Sequence, residues 1–112
     1  ELVRRFPVGR VTFTPSFVEK PAADVAEVVA ILNKANVHIR TVSAGQRFEA
    51  GDVSFEVLHP PAVGPPGVEN ERSLVLVVRH AGHTILLTGD LEKAGSDRVL
   101  SLPPTACDVL MA

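Results

Sequence analysis

The sequence predicts a mixed α/β fold in which helices cover a sheet rich in antiparallel hairpins. Two apolar runs, residues 74–78 and 84–88, are joined by a short turn at Ala81-Gly82 and indicate neighbouring buried strands with both faces covered. Residues 21–36 have the apolar spacing of one helix face. Nine prolines and eight glycines against five aromatic residues, all Phe, favour many short elements over a helical bundle.

The N-terminal part of the chain predicts one strand and one helix. Residues 8–14 alternate as a short strand bounded by Gly9 and Pro15. In the helix that follows, Pro21 suits the first position and Asp24 suits the positive end of the helix dipole. An apolar stripe at i, i+3, i+4 and i+7 comprises Val25, Val28, Val29 and Leu32. Asn36 is expected to end the helix in the left-handed conformation.

The remaining elements follow from period-two alternation and from helix stop signals. Strands are predicted at residues 37–42, from the Gly45 turn through Phe48, and at residues 53–57, with a proline-rich loop at residues 59–68. After the 74–88 hairpin, residues 91–102 predict a helix that ends before Pro103-Pro104, although Gly95 lowers its propensity. Residues 108–112 form a last apolar strand. The predicted order is β-α-β-β-β-β-β-α-β.

Composition bounds the function classes. With 46% hydrophobic residues the 112-residue chain is expected to form a folded core, and no apolar run approaches the length of a membrane-spanning helix. A net charge of -2 provides no general basic field for nucleic acid, so contact with DNA would need a local patch or a metal. The one cysteine, Cys107, excludes an intramolecular disulfide and is expected to be a small buried residue rather than a nucleophile.

Asp90 is the strongest candidate for chemistry, because a carboxylate directly follows an apolar strand. Two interpretations stand side by side. Asp before a helix is a preferred N-cap, and spacing alone favours this reading. The same carboxylate can also ligate a metal, and Gly89 beside it keeps the approach open.

The four histidines show no metal-binding spacing. His80 and His83 flank the Ala81-Gly82 turn and are expected to form an exposed cross-strand pair rather than a metal clip, because no third ligand is near in sequence. His59 is expected at the mouth of the proline-rich loop, held by a hydrogen bond or lining a site built by that loop. His38 is expected on the solvent face of its strand.

The residues do not support several other classes of reaction or binding. Asn70 and Ser73 are ordinary turn and strand-start residues with local backbone bonds, and Ser73 has neither a nucleophile elbow nor a nearby base. The chain has no glycine-rich phosphate loop, no dinucleotide fingerprint and no interleaved basic and aromatic residues. From the residues alone, the chain is an α/β segment with one conspicuous aspartate.

An ordered set of short motifs nevertheless resembles the metallo-β-lactamase-like domain of ComEC-type competence proteins, the membrane channels for DNA uptake. The set runs through almost the whole chain and comprises Arg5-Phe6-Pro7-Val8, Ala35-Asn36-Val37, Ser43-Ala44-Gly45, Gly51-Asp52-Val53, Val57-Leu58-His59-Pro60, Asn70-x-x-Ser73, Leu87-Thr88-Gly89-Asp90 and Asp108-Val109-Leu110-Met111. The resemblance implies an αββα sandwich, of which residues 1–112 would be a single partial domain truncated at both ends.

The resemblance also implies a site and an activity. Asp90 would ligate a divalent metal, Zn or Mn, within a Thr88-Gly89-Asp90 motif, with Asn70, Ser73 and His59 nearby. Histidine-rich and aspartate-rich motifs of the family would lie before Glu1 and after Ala112, so the 112 residues alone are expected to be inactive. The implied parent is a metal-dependent DNA nuclease or phosphodiesterase attached to an uptake channel.

Two alternatives keep the fold. One is a soluble metallo-hydrolase acting on a small ester or phosphodiester, and the other is a non-catalytic binding domain that has lost its metals. The implied partners are DNA and the membrane channel domain. The implied location is the extracytoplasmic face of the cell membrane, with a cytoplasmic location as the alternative.

Overall fold

The computed structural model describes residues 1–19, 23–63 and 69–112. The chain divides into two compact units, residues 1–42 and residues 43–112. The described part is mixed α/β, as predicted, and its strands follow the predicted order. The helical character expected of the first residues is present at Leu2–Arg5, whereas the short helix Pro15–Glu19 and the 3-10 helix Glu69–Arg72 were not predicted.

The described residues of the first unit form three helices and a two-stranded parallel sheet. Its elements in chain order are α1 Leu2–Arg5, β1 Arg10–Phe13, α2 Pro15–Glu19, α3 Ala23–Lys34 and β2 His38–Thr41. The predicted first helical position, Pro21, lies outside the described residues. His38 is exposed, as predicted.

The end of α3 confirms the role predicted for Asn36, whose φ is 54°. The Asn36 amide donates to the Asn33 carbonyl at 3.1 Å, and the Val37 amide donates to the Leu32 carbonyl at 2.9 Å. This is the hydrogen-bond pattern of a Schellman motif. Val25 and Leu32 of the predicted stripe are buried, but Val28 is 43% exposed, so the buried stripe is narrower than the spacing predicted.

The second unit is built on a five-stranded sheet in the order β3-β4-β5-β6-β7. Its elements are β3 Arg47–Ala50, β4 Val53–His59, a 3-10 helix Glu69–Arg72, β5 Val75–His80, β6 His83–Leu87, α4 Lys93–Leu100 and β7 Val109–Met111. The strands β3 to β6 are antiparallel neighbours, and β7 pairs parallel to β6. The predicted 74–88 hairpin is therefore confirmed in place and register.

The two strands of the hairpin are not equally buried, although both were predicted to be covered on both faces. Val75 and Val77 of β5 are fully buried, and so is Val57 of β4 beside them, whereas β6 is only half-buried. Strand β7 is exposed along its length, with Leu110 at 60%. The core of this unit is thus concentrated at β4 and β5.

Two further predictions about this unit are wrong. The C-terminal helix begins at Lys93, not at residue 91, and Glu92 is its N-cap residue. Cys107 is exposed rather than buried. Both errors concern segments whose surroundings are set by residues far away in sequence.

Candidate functional site

The directions of the strands bring the predicted site residues to one end of the five-stranded sheet. Strands β4, β6 and β7 run the same way, and β5 runs against them. His59 therefore ends β4 at the same end where Ser73 leads into β5 and Thr88 follows β6. We call this the Asp90 end, and the end with the Ala81-Gly82 turn the hairpin end.

Asp90 lies in a turn between β6 and α4 and is exposed. It is not the N-cap of α4, because the helix starts three residues later with Glu92 in the cap position. Its carboxylate makes no hydrogen bond or ion pair with another residue in the described parts of the chain. The structure thus overturns the capping interpretation and leaves the ligand interpretation as a prediction.

Two left-handed residues bracket Asp90. Gly89 has a φ of +57°, which glycine adopts without strain, and Lys93 has a φ of 44°, which is uncommon for a residue with a side chain. The backbone is therefore left-handed one residue before Asp90 and again three residues after it, where α4 begins.

Gly89 lies against the segment before β5. A Cβ placed on Gly89 would lie 3.6 Å from the Ser73 Cβ and 3.6 Å from the Leu74 carbonyl oxygen, which is ordinary contact distance. On the other side of Asp90, the Glu92 amide donates to the Asn70 carbonyl at 3.3 Å. Residues 70–74, which we call the platform, therefore contact the turn both before and after Asp90.

Thr88 joins this turn to the neighbouring strand β7. Its amide donates to the Met111 carbonyl at 3.1 Å, and its hydroxyl lies 3.4 Å from the same oxygen. The hydroxyl thus adds a second, longer bond to an oxygen already bound by the backbone. Thr88 is therefore a structural link to β7, next to the site.

His59 is not a loop-mouth residue, because it is the last residue of β4 and is only 1% exposed. Its Nδ1 lies 3.1 Å from the Ser73 carbonyl oxygen. The expected hydrogen bond is present, but His59 belongs to the strand and not to the loop. Strand β4 extends two residues beyond its predicted end at Val57. A register irregularity between Val57 and His59 keeps His59 paired with Val75.

Asn70 is exposed and reaches its neighbours through its backbone carbonyl. That oxygen accepts from both Ser73 at 3.4 Å and Glu92 at 3.3 Å. Helix α4 also approaches this segment closely, since a Cβ on Gly95 would lie 2.6 Å from the Glu71 carbonyl oxygen. In the sequence, Gly95 predicts only a lower helix propensity and gives no sign of this contact.

The described residues do not bring together a complete donor set for a metal ion. Among residues 1–19, 23–63 and 69–112, no three His, Cys, Asp or Glu side chains are close enough for one. Asp90 offers a hard oxygen ligand, but one carboxylate does not fit a catalytic metal site. His59, the nearby imidazole, has its Nε2 fully buried.

The hairpin end carries His80 and His83, which are exposed cross-strand partners, as predicted. His80 Nδ1 lies 3.4 Å from an Asp52 oxygen, and His83 Nδ1 lies 3.9 Å from an Asp108 oxygen. Each imidazole thus lies near a carboxylate. All four side chains are more than half exposed.

A surface cavity of about 320 Å³ lies beside strands β3 to β5. Glu56 there accepts from both Arg47 and Arg79 at 2.8 Å. The two guanidinium groups lower the pKa of Glu56, Arg47 more than Arg79. The cavity lining contains none of the predicted site residues and comprises Arg47, Phe48, Glu49, Ser54, Phe55, Glu56 and Arg79.

Comparison with known proteins gives one relationship. The chain is 34% identical over 110 residues to ComE operon protein 3 of Bacillus subtilis (strain 168), a match that covers 97% of this chain and 14% of that protein. No protein-family model matches the chain, and no solved structure matches it. No helix in the described ranges is long and apolar enough to cross a membrane. The similarity supports the predicted relationship to competence proteins.

Proposed function

We propose that this chain is part of a metal-dependent hydrolase domain, a DNA nuclease or phosphodiesterase, in a longer protein of bacterial DNA uptake. The domain would have the αββα metallo-β-lactamase fold, and its partners would be DNA and a membrane channel. It would lie on the extracytoplasmic face of the membrane. The similarity to ComE operon protein 3 supports the uptake role, and 14% coverage of that protein is compatible with a domain inside a larger one.

The observation that carries the proposal is the construction of the Asp90 end. An exposed carboxylate is held between two contacts to the platform, and residues from three segments distant in sequence meet there. Fixed backbone around an exposed acidic side chain is what a metal ligand requires, because ligands must be held in place before the ion binds.

Asp90 would act as one metal ligand among several, and the others would come from the longer protein. Metal ions in hydrolases lower the pKa of bound water and neutralise charge on a phosphoryl group. This chain would supply a fixed anionic oxygen at the end of a rigid sheet. The platform residues Asn70 and Ser73 would set the position of that oxygen without contributing charge.

The test is DNA cleavage by the longer protein. We expect the purified protein to cut single-stranded DNA with Mn²⁺ or Zn²⁺, and D90N to lower the rate about 100-fold or more, because a ligating carboxylate is lost while the size of the side chain is kept. The matched control is D97N, which makes the same change at an exposed position on α4. Its rate should equal that of the unmodified protein.

Other outcomes discriminate between the alternatives. Equal cleavage by D90N and the unmodified protein contradicts the ligand role. Metal-dependent hydrolysis of a small ester or phosphodiester without DNA cleavage favours the alternative of a metallo-hydrolase for small substrates. A protein that binds DNA but hydrolyses none of these substrates with either metal favours the binding domain.

A further inference from the structure

His59 is the one titratable side chain within the described ranges that is almost completely buried, at 1% exposure. The only bond of its imidazole in those ranges runs from Nδ1 to the Ser73 carbonyl oxygen at 3.1 Å. A carbonyl oxygen can only accept, so Nδ1 carries the proton and donates. Nε2 is buried and without a partner among the described residues.

The burial of Nε2 excludes direct chemistry by this imidazole in the folded state. A metal ion or a substrate atom needs access to the nitrogen, and Nε2 is buried. Burying a polar ring with one nitrogen unpaired has a free-energy cost. The bond that remains, to Ser73, therefore points to a role in holding the platform.

A chain of contacts connects that bond to Asp90. His59 holds the Ser73 carbonyl, and the Ser73 Cβ lies against Gly89, within 3.6 Å of where a Gly89 Cβ would be. Gly89 immediately precedes Asp90 and turns the chain with a φ of +57°. The platform also fixes the residue two positions after Asp90, because the Asn70 carbonyl accepts from the Glu92 amide.

We infer that His59 is a positioning residue that fixes the Asp90 turn through the Ser73 carbonyl and Gly89, without itself touching Asp90. The imidazole is suited to this role because it is rigid, fills the space at the end of β4 and carries a donor directed at a backbone oxygen. The importance of this for catalysis rests on the proposed function. The coupling between His59 and the Asp90 turn does not, since it is a property of this fold.

The experiment uses ¹⁵N-labelled 112-residue chain and compares H59L with H59N. Leucine removes the donor and leaves the Ser73 carbonyl without its bond, whereas the asparagine side-chain amide can donate from nearly the position of Nδ1. In H59L we expect the Gly89 and Asp90 amide resonances to shift and hydrogen exchange at the Glu92 amide to accelerate about 10-fold or more. H59N should restore most of both readouts.

Control probes separate positioning from loss of overall stability. The amides of Gly51 and Gly82 belong to the hairpin end, and those of Val77 and Leu86 belong to the central ladder. Under the inference, these resonances and exchange rates stay unchanged in H59L. Equal acceleration at all of these amides, or failure of H59N to restore the Asp90 turn, would contradict the inference.

A reciprocal variant keeps the test decisive if H59L does not fold. G89A adds a methyl group beside Ser73 at a left-handed position, and it should shift the ring proton resonances of His59. The control is G82A, which makes the same change at a φ of +81° with open space around it. A His59 ring that responds equally to both variants, or to neither, overturns the inference. No readout of this experiment involves catalysis. Its result therefore does not depend on whether the longer protein cleaves DNA.

Discussion

The two ends of the five-stranded sheet are held together by different kinds of interaction. At the Asp90 end, buried or backbone groups make the contacts: the His59 imidazole on the Ser73 carbonyl, Gly89 on the platform and the Glu92 amide on the Asn70 carbonyl. At the hairpin end, Thr84 and Asp108 also exchange two bonds donated by backbone amides, but the side-chain pairs are exposed: the carboxylates of Asp52 and Asp108 approach the imidazoles of His80 and His83. Water and salt screen these exposed pairs more than they affect the buried His59 contact. The two ends therefore differ in the side-chain contacts that hold them.

The strongest test of this difference is G95A in α4. A Cβ at this position would lie 2.6 Å from both the Glu71 carbonyl oxygen and the Leu91 Cδ1, so the helix must move away from the 3-10 helix. We expect a loss of about 2 kcal/mol in the free energy of unfolding, because overpacking against backbone outweighs the gain of about 1 kcal/mol in helix propensity. Urea unfolding followed by circular dichroism measures the change.

The control for this variant is G9A. A Cβ on Gly9 would have nothing within 4 Å, and its φ is not in the left-handed region. Its free energy of unfolding should change by less than about 0.5 kcal/mol. If G95A were as mild as G9A, the close contact between α4 and residue 71 would not hold the Asp90 end, and the contrast between the two ends would fail.

The same contrast explains which features the sequence could predict. The hairpin and the left-handed Asn36 depend on residues adjacent in sequence, and both are confirmed in place. The convergence of Asn70, Ser73 and Thr88 near Asp90 follows from strand direction once the hairpin is assigned. Local patterns thus located the end of the sheet where the candidate site lies.

The features that escaped prediction depend on distant backbone. His59 is buried, and its Nδ1 meets the Ser73 carbonyl oxygen, 14 residues further along the chain. Helix α4 starts after Glu92, and its residue Gly95 packs on the carbonyl of Glu71. The exposure of Cys107 reflects the uncovered position of the segment before β7. None of these contacts leaves a periodic signal in the sequence.

An intermediate effect is expected in the middle of the sheet, from E56Q. Glu56 accepts from Arg47 on β3 and from Arg79 on β5, so one partly buried carboxylate connects three strands. Replacing it with a neutral amide should lower the free energy of unfolding by about 1 kcal/mol at pH 7. The matched control is E49Q, at an exposed position on β3, for which we expect a change below about 0.5 kcal/mol.

The dependence of this effect on pH has a definite sign. The arginines lower the pKa of Glu56 in the folded chain below its ordinary value of 4.5. The carboxylate therefore stabilises the fold above that ordinary pKa, and the stabilisation is lost as pH falls through the lowered folded pKa. Urea unfolding of the unmodified chain and of E56Q should give different stabilities at pH 7 and the same stability once Glu56 is protonated. If the difference in the free energy of unfolding persisted in acid, packing and not charge would account for the lower stability of E56Q.

The smallest effect is expected at the hairpin end, from D52N. The Asp52 and His80 side chains are 83% and 52% exposed, and their closest N and O atoms are 3.4 Å apart. Water and salt screen such a pair, and asparagine keeps the turn preference of aspartate, so the free energy of unfolding should fall by at most about 0.5 kcal/mol. Unfolding at low and high ionic strength measures this, and any difference between the two proteins should vanish at high salt. A decrease in the free energy of unfolding that is independent of salt and as large as that of G95A would contradict this expectation. The hairpin end would then be held as firmly as the Asp90 end, and rigidity would not distinguish the Asp90 end as the site.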